Sequence, residues 1–182
     1  MTSIQRCFLA LCLTVPASGT ANADILGAAA NGFHINHRLA IEAGADAVWA
    51  ALGEPAAWWD SDHTYTADAS NLTLALNPLG CFCEATADGG AIVHMTVTAV
   101  RPGKMLRLTG GLGPLGLVGV DGNMVFSLTE GDGVTYLKFD YAVGGYSTDG
   151  LAALASAVDG VTKTQIERLK RYTETGSPGT GP

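Results

Sequence analysis

Apolar residues along this chain recur mostly with a period of two. Phe33, Ile35, His37, Leu39 and Ile41 alternate with His34, Asn36, Arg38 and Glu42, the pattern of a strand with one buried face. Six further runs read the same way: NLTLALNP, CFCEATA, AIVHMTVTAV, MLRLTGG, NMVFSLTE and VTYLKFDYAV. Turn signals separate them at Asp88-Gly89-Gly90, Arg101-Pro102-Gly103-Lys104, Asp121-Gly122-Asn123 and Gly131-Asp132-Gly133. Connections this short make hairpins and leave no room for crossover helices, so the predicted sheet is antiparallel.

A helical period replaces the strand period in two places. After the first strand, Asp46 is positioned to cap a short helix AVWAALGEP with Val48, Trp49 and Leu52 on one face, and a second helical turn covers AAWWDS. From Gly150 to Tyr172, behind a Ser147-Thr148-Asp149 capping cluster, Leu151, Leu154, Val158, Val161, Ile166, Leu169 and Tyr172 form one stripe. Its first half is nearly all Ala, Gly and Ser, while its second half carries the large side chains and the charges. Small residues let a helix either approach a sheet closely or leave space open above it. The predicted order is strand, two short helices, six strands and one long helix, an α+β domain.

The first 23 residues stand apart. MTSIQRCFLALCLTVPASGTANA has one arginine, a short apolar run and a small-x-small ending, the form of a secretory signal peptide cleaved after Ala23. The expected product is periplasmic or secreted, with no membrane span left after cleavage, a domain over 24–175 and a disordered tail GSPGTGP over 176–182. Its loss removes Arg6 from a total of 10 basic residues against 17 acidic ones and takes the formal charge from −7 to −8. That balance excludes a nucleic-acid partner, because nothing replaces the counterions of a phosphate backbone. The pattern specifies no oligomeric state.

The remaining cysteines, Cys81 and Cys83, point the same way from one strand, with alpha carbons about 6.5–7 Å apart in extended geometry, at the limit of a disulfide. They read as free thiols or as a strained, redox-labile bridge, not as a disulfide framework. Gly111-Leu112-Gly113-Pro114-Leu115-Gly116 matches the dinucleotide fingerprint letter for letter, but it leads into a strand rather than a helix and so lacks the helix N-terminus that receives pyrophosphate. It reads instead as an apolar, flexible loop.

WWDSDHTY, residues 58–65, holds the densest chemistry. Asp60, Asp62 and His63 are competent metal ligands, and His94 and Glu84 could join them, yet the spacing fits no zinc or calcium scheme, and no metal or organic cofactor is expected. Two adjacent tryptophans cannot both point inward from one helical turn, so Trp59 is expected to pack and Trp58 to rim a cavity mouth. His37 lies on the apolar side of its strand, where a hydrogen-bonded core role is expected. His94 shares a side with Thr96 and Thr98 opposite Val93, Met95 and Val97, which places it outside or at a polar part of a cavity. Tyr141 is the better candidate for a hydroxyl inside a pocket, and Tyr146 for its rim.

This order of elements, with ADAVWAALGEPAAWWDSDHTY, GCFCEA, LRLTGGLGPLGLVGV and GLAALASAVDGVTKTQIERLKRY, resembles exported bacterial members of the START-like, or SRPBCC, superfamily, distantly similar to heat-shock ATPase activator and polyketide cyclase proteins. The likeness covers about residues 33–175. It implies a helix-grip fold, a curved antiparallel sheet of about seven strands around the C-terminal helix, enclosing a cavity for a small apolar or amphipathic ligand. On that pattern the alanine-rich half from Leu151 to Val158, with Leu154, forms a wall, Gly110 to Gly116, with Leu112 and Leu115, forms a flexible mouth, and the segment from Trp58 to Tyr65, with Trp59 and His63, lies near the entrance. Met95, Leu108, Phe126, Phe139 and Tyr141 complete the expected ligand-contacting set.

The first expectation is therefore a cofactor-free binding protein. The alternative is a cyclase- or dehydratase-type enzyme using His63 or His94 as general base with Tyr141 as hydrogen-bond donor. A protein-interaction domain is third.

Overall fold

The computed structural model describes residues 24–179; the signal peptide expected at 1–23 and the last three residues of the tail lie outside the described residues. Eight antiparallel strands form one sheet: β1 (Asp24–Ala29), β2 (Gly32–Ile41), β3 (Leu72–Leu74), β4 (Cys81–Ala85), β5 (Ala91–Arg101), β6 (Met105–Thr109), β7 (Gly119–Gly131) and β8 (Val134–Tyr146). Their spatial order is β1-β2-β8-β7-β6-β5-β4-β3. Every neighbouring pair but one is also adjacent in sequence; the exception joins β2 to β8, with Phe33 opposite Val143 and Ile41 opposite Thr135. The two short helices, α1 (Ala45–Leu52) and α2 (Pro55–Trp58), follow β2, and the long helix α3 (Ala155–Thr175) closes the chain and packs on β2, α1 and α2. This is the α+β helix-grip arrangement.

Several details differ from the sequence expectation. β1 was not anticipated, because DILGAA has small residues where alternation would show; it adds to the sheet edge with Ile25 and Leu26 exposed. Asp46 does not cap α1. It sits inside the first turn, and the carboxylate of Glu130 on β7 instead accepts from the Ala45 amide at 2.8 Å. Likewise Ser147, Thr148 and Asp149 give α3 no side-chain cap; a 3-10 turn at Ala152–Leu154 leads into it.

The expected turn at Asp121-Gly122-Asn123 is a strand interior. Gly122 lies beneath the ring of Tyr141, where an added Cβ would stand 2.6 Å from Cε2, so only glycine lets the tyrosine lie flat across β7. The reversal between β6 and β7 is made by residues 110–118, including a 3-10 turn at Gly113–Leu117 that buries Leu115. The expected turn between β7 and β8 is present, with Asp132 and Gly133 at φ 54° and 78°.

Cys81 and Cys83 form a disulfide with alpha carbons 5.3 Å apart, closer than in a regular strand. A register shift between Phe82 and Cys83 against β5 accompanies that approach. At the other end of the chain Gly176 ends α3 at φ 78°, and Arg171 Nε donates to the Pro178 carbonyl at 2.7 Å.

Candidate functional site

Between the first half of α3 and the strands β4 and β5 lies a predominantly apolar cavity of about 370 Å³. The 3-10 turn before α3 contributes Leu154, and α3 continues the same face with Ala157, Val158, Val161 and Thr162, positions i, i+3, i+4, i+7 and i+8 counted from Leu154. Most of these side chains are short and do not fill the space between helix and sheet. Opposite are Trp59, Phe82, His94 and Tyr65, and the mouth is lined by Asp62, His63, Thr64, Leu112, Gly113 and Pro114.

The aromatic wall is continuous. Trp59 meets Phe82 edge-on at 5.2 Å, Phe82 lies 5.2 Å from His94, and Tyr65 stacks on His94 at 5.8 Å with the rings 17° apart. Tyr65 also bridges the mouth, its hydroxyl donating to the Gly113 carbonyl at 2.8 Å. The segment carrying Tyr65 has no regular structure of its own and is held by one buried carboxylate. Glu84 Oε1 accepts from the Thr66 amide at 2.6 Å, while Oε2 accepts from the Tyr65 amide at 3.1 Å and contacts His94 Nε2 at 3.0 Å. Burial alone would raise the Glu84 carboxyl, but the hydrogen bonds from Thr66, Tyr65 and His94 outweigh it and hold the group below its ordinary range. His94 is itself lowered by burial, against the pull of Glu84.

At the entrance, a second histidine is oriented from α3. Gln165 Oε1 accepts from the Asp60 amide at 2.8 Å, which directs its Nε2 to donate to His63 Nδ1, also at 2.8 Å. His63 thus carries its proton on Nε2.

Both tryptophans are buried, against the expectation that only one points inward: Trp59 packs as expected while also lining the cavity, and Trp58 lies in the core rather than at a mouth. Trp58 ends the single turn of α2 and is buried at 2% exposure, its Nε1 donating to the Ala51 carbonyl at 2.7 Å. Trp59 follows in extended conformation, φ −64° and ψ 148°, which turns its ring away from α1 and towards the cavity. His94 also departs from the strand alternation. Phe82 pairs with Met95 but Cys83 pairs with Val93, so β5 carries an extra residue there. The bulge turns both His94 and Met95 inward and leaves Val93 61% exposed.

Of the expected ligand-contacting residues, Trp59, His63, Tyr65, Leu112, Leu115, Leu154 and Val158 line the cavity, as does His94. Trp58, Met95, Leu108, Phe126, Phe139, Tyr141 and Leu151 do not; they fill the core. Phe126 meets Phe139 edge-on at 5.2 Å and His37 stacks on Phe139 at 5.7 Å, so aromatic rings occupy the central space and leave the cavity towards the 59–65 segment. His37 is the hydrogen-bonded core residue expected, 3.1 Å from Thr162 Oγ1. Tyr141 offers no free hydroxyl: it donates to the Gly110 carbonyl and accepts from the Leu112 amide, both at 3.2 Å, tying the mouth loop to β8. Burial pushes its phenol up to about 12. Ala157 lines the cavity within the wall expected over Leu151 to Val158, while Leu72, Phe82, Val161 and Thr162 were missed as lining residues, although the last two continue the helical stripe that contains Leu154 and Val158. Among the described residues no three of His, Cys, Asp and Glu gather as metal ligands, and no helix is long and apolar enough to cross a membrane.

The buried histidines make a pH prediction. His37 and His94 are both lowered from 6.5 chiefly by burial, so the unfolded chain takes up protons on acidification before the folded one does. Their contribution is complete above 6.5 and is lost as pH falls below it. Glu84, held below 4.5, loses its own contribution only at more acid pH. Urea denaturation across pH 8 to 5 is expected to show a flat region and then a falling midpoint; a midpoint that rises on acidification contradicts the assignment.

No family model matches this chain, and no curated protein matches it either. Solved structures do. DynU16, from the dynemicin biosynthetic locus, superposes with TM-score 0.55 at 22% identity, over 80% of this chain and 48% of its own. The Aha1 dimer of Colwellia psychrerythraea gives 0.55 at 20% identity, over 79% of this chain and 97% of that one. The di-domain ARO/CYC StfQ of the steffimycin pathway gives 0.54 at 13%, over 80% and 50%. This chain thus spans about half the length of DynU16 and of StfQ. What it shares with all three is the helix-grip fold.

Proposed function

We propose that this protein binds a small, largely apolar molecule in the cavity between α3 and the β4–β5 wall, and that it does so as an exported carrier. The observation that carries the reading is the unfilled apolar volume of about 370 Å³ beside the short side chains of α3, behind a mouth spanned by one tyrosine bridge. That volume lies at the lower end of small-molecule sites and fits roughly two or three fused rings. Burial of apolar surface at about 25 cal/mol per Å² supplies most of the affinity. The leader-like residues 1–23 give the proposal its location. DynU16 and StfQ come from biosynthetic systems, which is in keeping with a small-molecule ligand.

N-phenyl-1-naphthylamine, whose fluorescence rises in apolar surroundings, tests this. Saturable uptake of one probe per chain is expected, with displacement by naphthalene. Fluorescence that rises linearly without saturation overturns the proposal.

One observation favours catalysis as a second reading: His94, backed by the carboxylate of Glu84, stands on the cavity wall. The donor expected opposite it, Tyr141, is bound to the mouth loop, so a general base here lacks that partner.

A further inference from the structure

The cavity is apolar except at a few points, and one of them is built with more care than packing requires. Glu84 and His94 make a buried pair in which every polar atom but one is engaged. Both oxygens of Glu84 accept hydrogen bonds, from Thr66 N, Tyr65 N and His94 Nε2. An ionised carboxylate only accepts, so the proton of the neutral imidazole lies on Nε2 and its lone pair on Nδ1. His94 Nδ1 makes no hydrogen bond among the described residues. It is not sealed either: the one buried side-chain polar atom without a partner among those residues is Asp159 Oδ1. With Tyr65 and Phe82 against its ring, the open space beside His94 is the cavity.

We propose that His94 Nδ1 is the polar anchor of the ligand site and that it accepts a hydrogen bond from a hydroxyl group, so that the ligand is a hydroxylated aromatic or alicyclic molecule rather than a plain hydrocarbon or fatty chain. This rests on the cavity reading above. Three features support the choice. Nδ1 belongs to a side chain that is only 8% exposed and lines an apolar cavity, where an acceptor without a donor is costly and a ligand that supplies one is favoured. Glu84 fixes the tautomer, so the ring cannot turn its N–H towards the cavity without breaking the pair. The surrounding rings of Trp59, Phe82 and Tyr65 offer flat surfaces to a cyclic ligand rather than a tunnel to a chain.

His94→Phe keeps an aromatic ring against Tyr65 and Phe82 and removes the acceptor. 2-Naphthol and naphthalene differ only in the hydroxyl, and each is titrated into the wild type and the variant by calorimetry. The wild type is expected to prefer naphthol, and the preference, as a ratio of affinities, is expected to fall about tenfold in the variant, with naphthalene binding little changed. Equal naphthol-to-naphthalene ratios in both proteins overturn the anchor while leaving the cavity proposal standing. Failure of the wild type to bind either compound overturns both.

A measurement on the unaltered protein guards against a variant that does not fold. Long-range ¹H–¹⁵N correlation spectra should show His94 protonated on Nε2, with the Nδ1 resonance moving on addition of naphthol and not of naphthalene. A proton on Nδ1, or an equal response to both compounds, contradicts the assignment.

Discussion

Replacing Glu84 by alanine is expected to lower the unfolding free energy by about 3–5 kcal/mol, the range for breaking a buried charge-assisted pair. The side chain is fully buried and satisfies two backbone amides and one imidazole at once. Alanine leaves all three donors without their acceptor inside the wall, and an unsatisfied buried polar group costs about 1–3 kcal/mol. The effect is also local, because the amides of Tyr65 and Thr66 lose their attachment to β4. In Glu84→Ala, urea denaturation should show the lost stability, and hydrogen exchange at Tyr65 and Thr66 should quicken even at low urea. A loss below about 1 kcal/mol would mean that the carboxylate is solvated and that the wall is not closed there.

Filling the cavity should remove binding without removing the fold. Ala157 lies on the lining face of α3, one turn from Leu154 and from Val161, and its methyl group leaves room that an indole would occupy. Displacing about 100 Å² of apolar contact is worth about 2.5 kcal/mol, or close to a hundredfold in affinity. Ala157→Trp is therefore expected to weaken N-phenyl-1-naphthylamine binding by about two orders of magnitude, with the denaturation midpoint held or raised as the void is filled. Unchanged affinity in a folded variant would place the bound probe somewhere other than the α3 wall.

The sequence showed the fold more clearly than the site. The strands of the meander from β4 to β8 announced themselves by alternation, and the reversals after β4, β5 and β7 by their turn residues, whereas the one after β6 did not; of the two outcomes that small side chains on α3 allow, close approach or open space, the structure has the second. What escaped was set by single-residue events with no periodic signature. The extra residue in β5 reverses the alternation, so of the two places its parity with Thr96 and Thr98 left open for His94, outside or at a polar part of a cavity, the second holds. The change of backbone between α2 and the residue after it lets both rings be buried, so that Trp58 lies in the core rather than at the mouth and Trp59 packs against Phe82 on the cavity wall. Tyr141 has the parity of a cavity residue but lies over Gly122 and spends its hydroxyl on the loop at 110–112, a contact that depends on two elements distant in sequence. Glu84 was considered only as a metal ligand. Its acceptor role towards the 65–66 backbone lies in a long-range loop that no local pattern reports.

Two-dimensional ¹H–¹⁵N spectra of the protein titrated with naphthalene test the central claim most directly. The account predicts saturable shifts concentrated at the Trp59 indole and the amides of Leu112, Val158 and Thr162, all on the cavity, with the outer face of the sheet at Tyr136 and Lys138 unmoved. Shifts confined to that outer face, or no saturable shifts at the cavity residues, would contradict it.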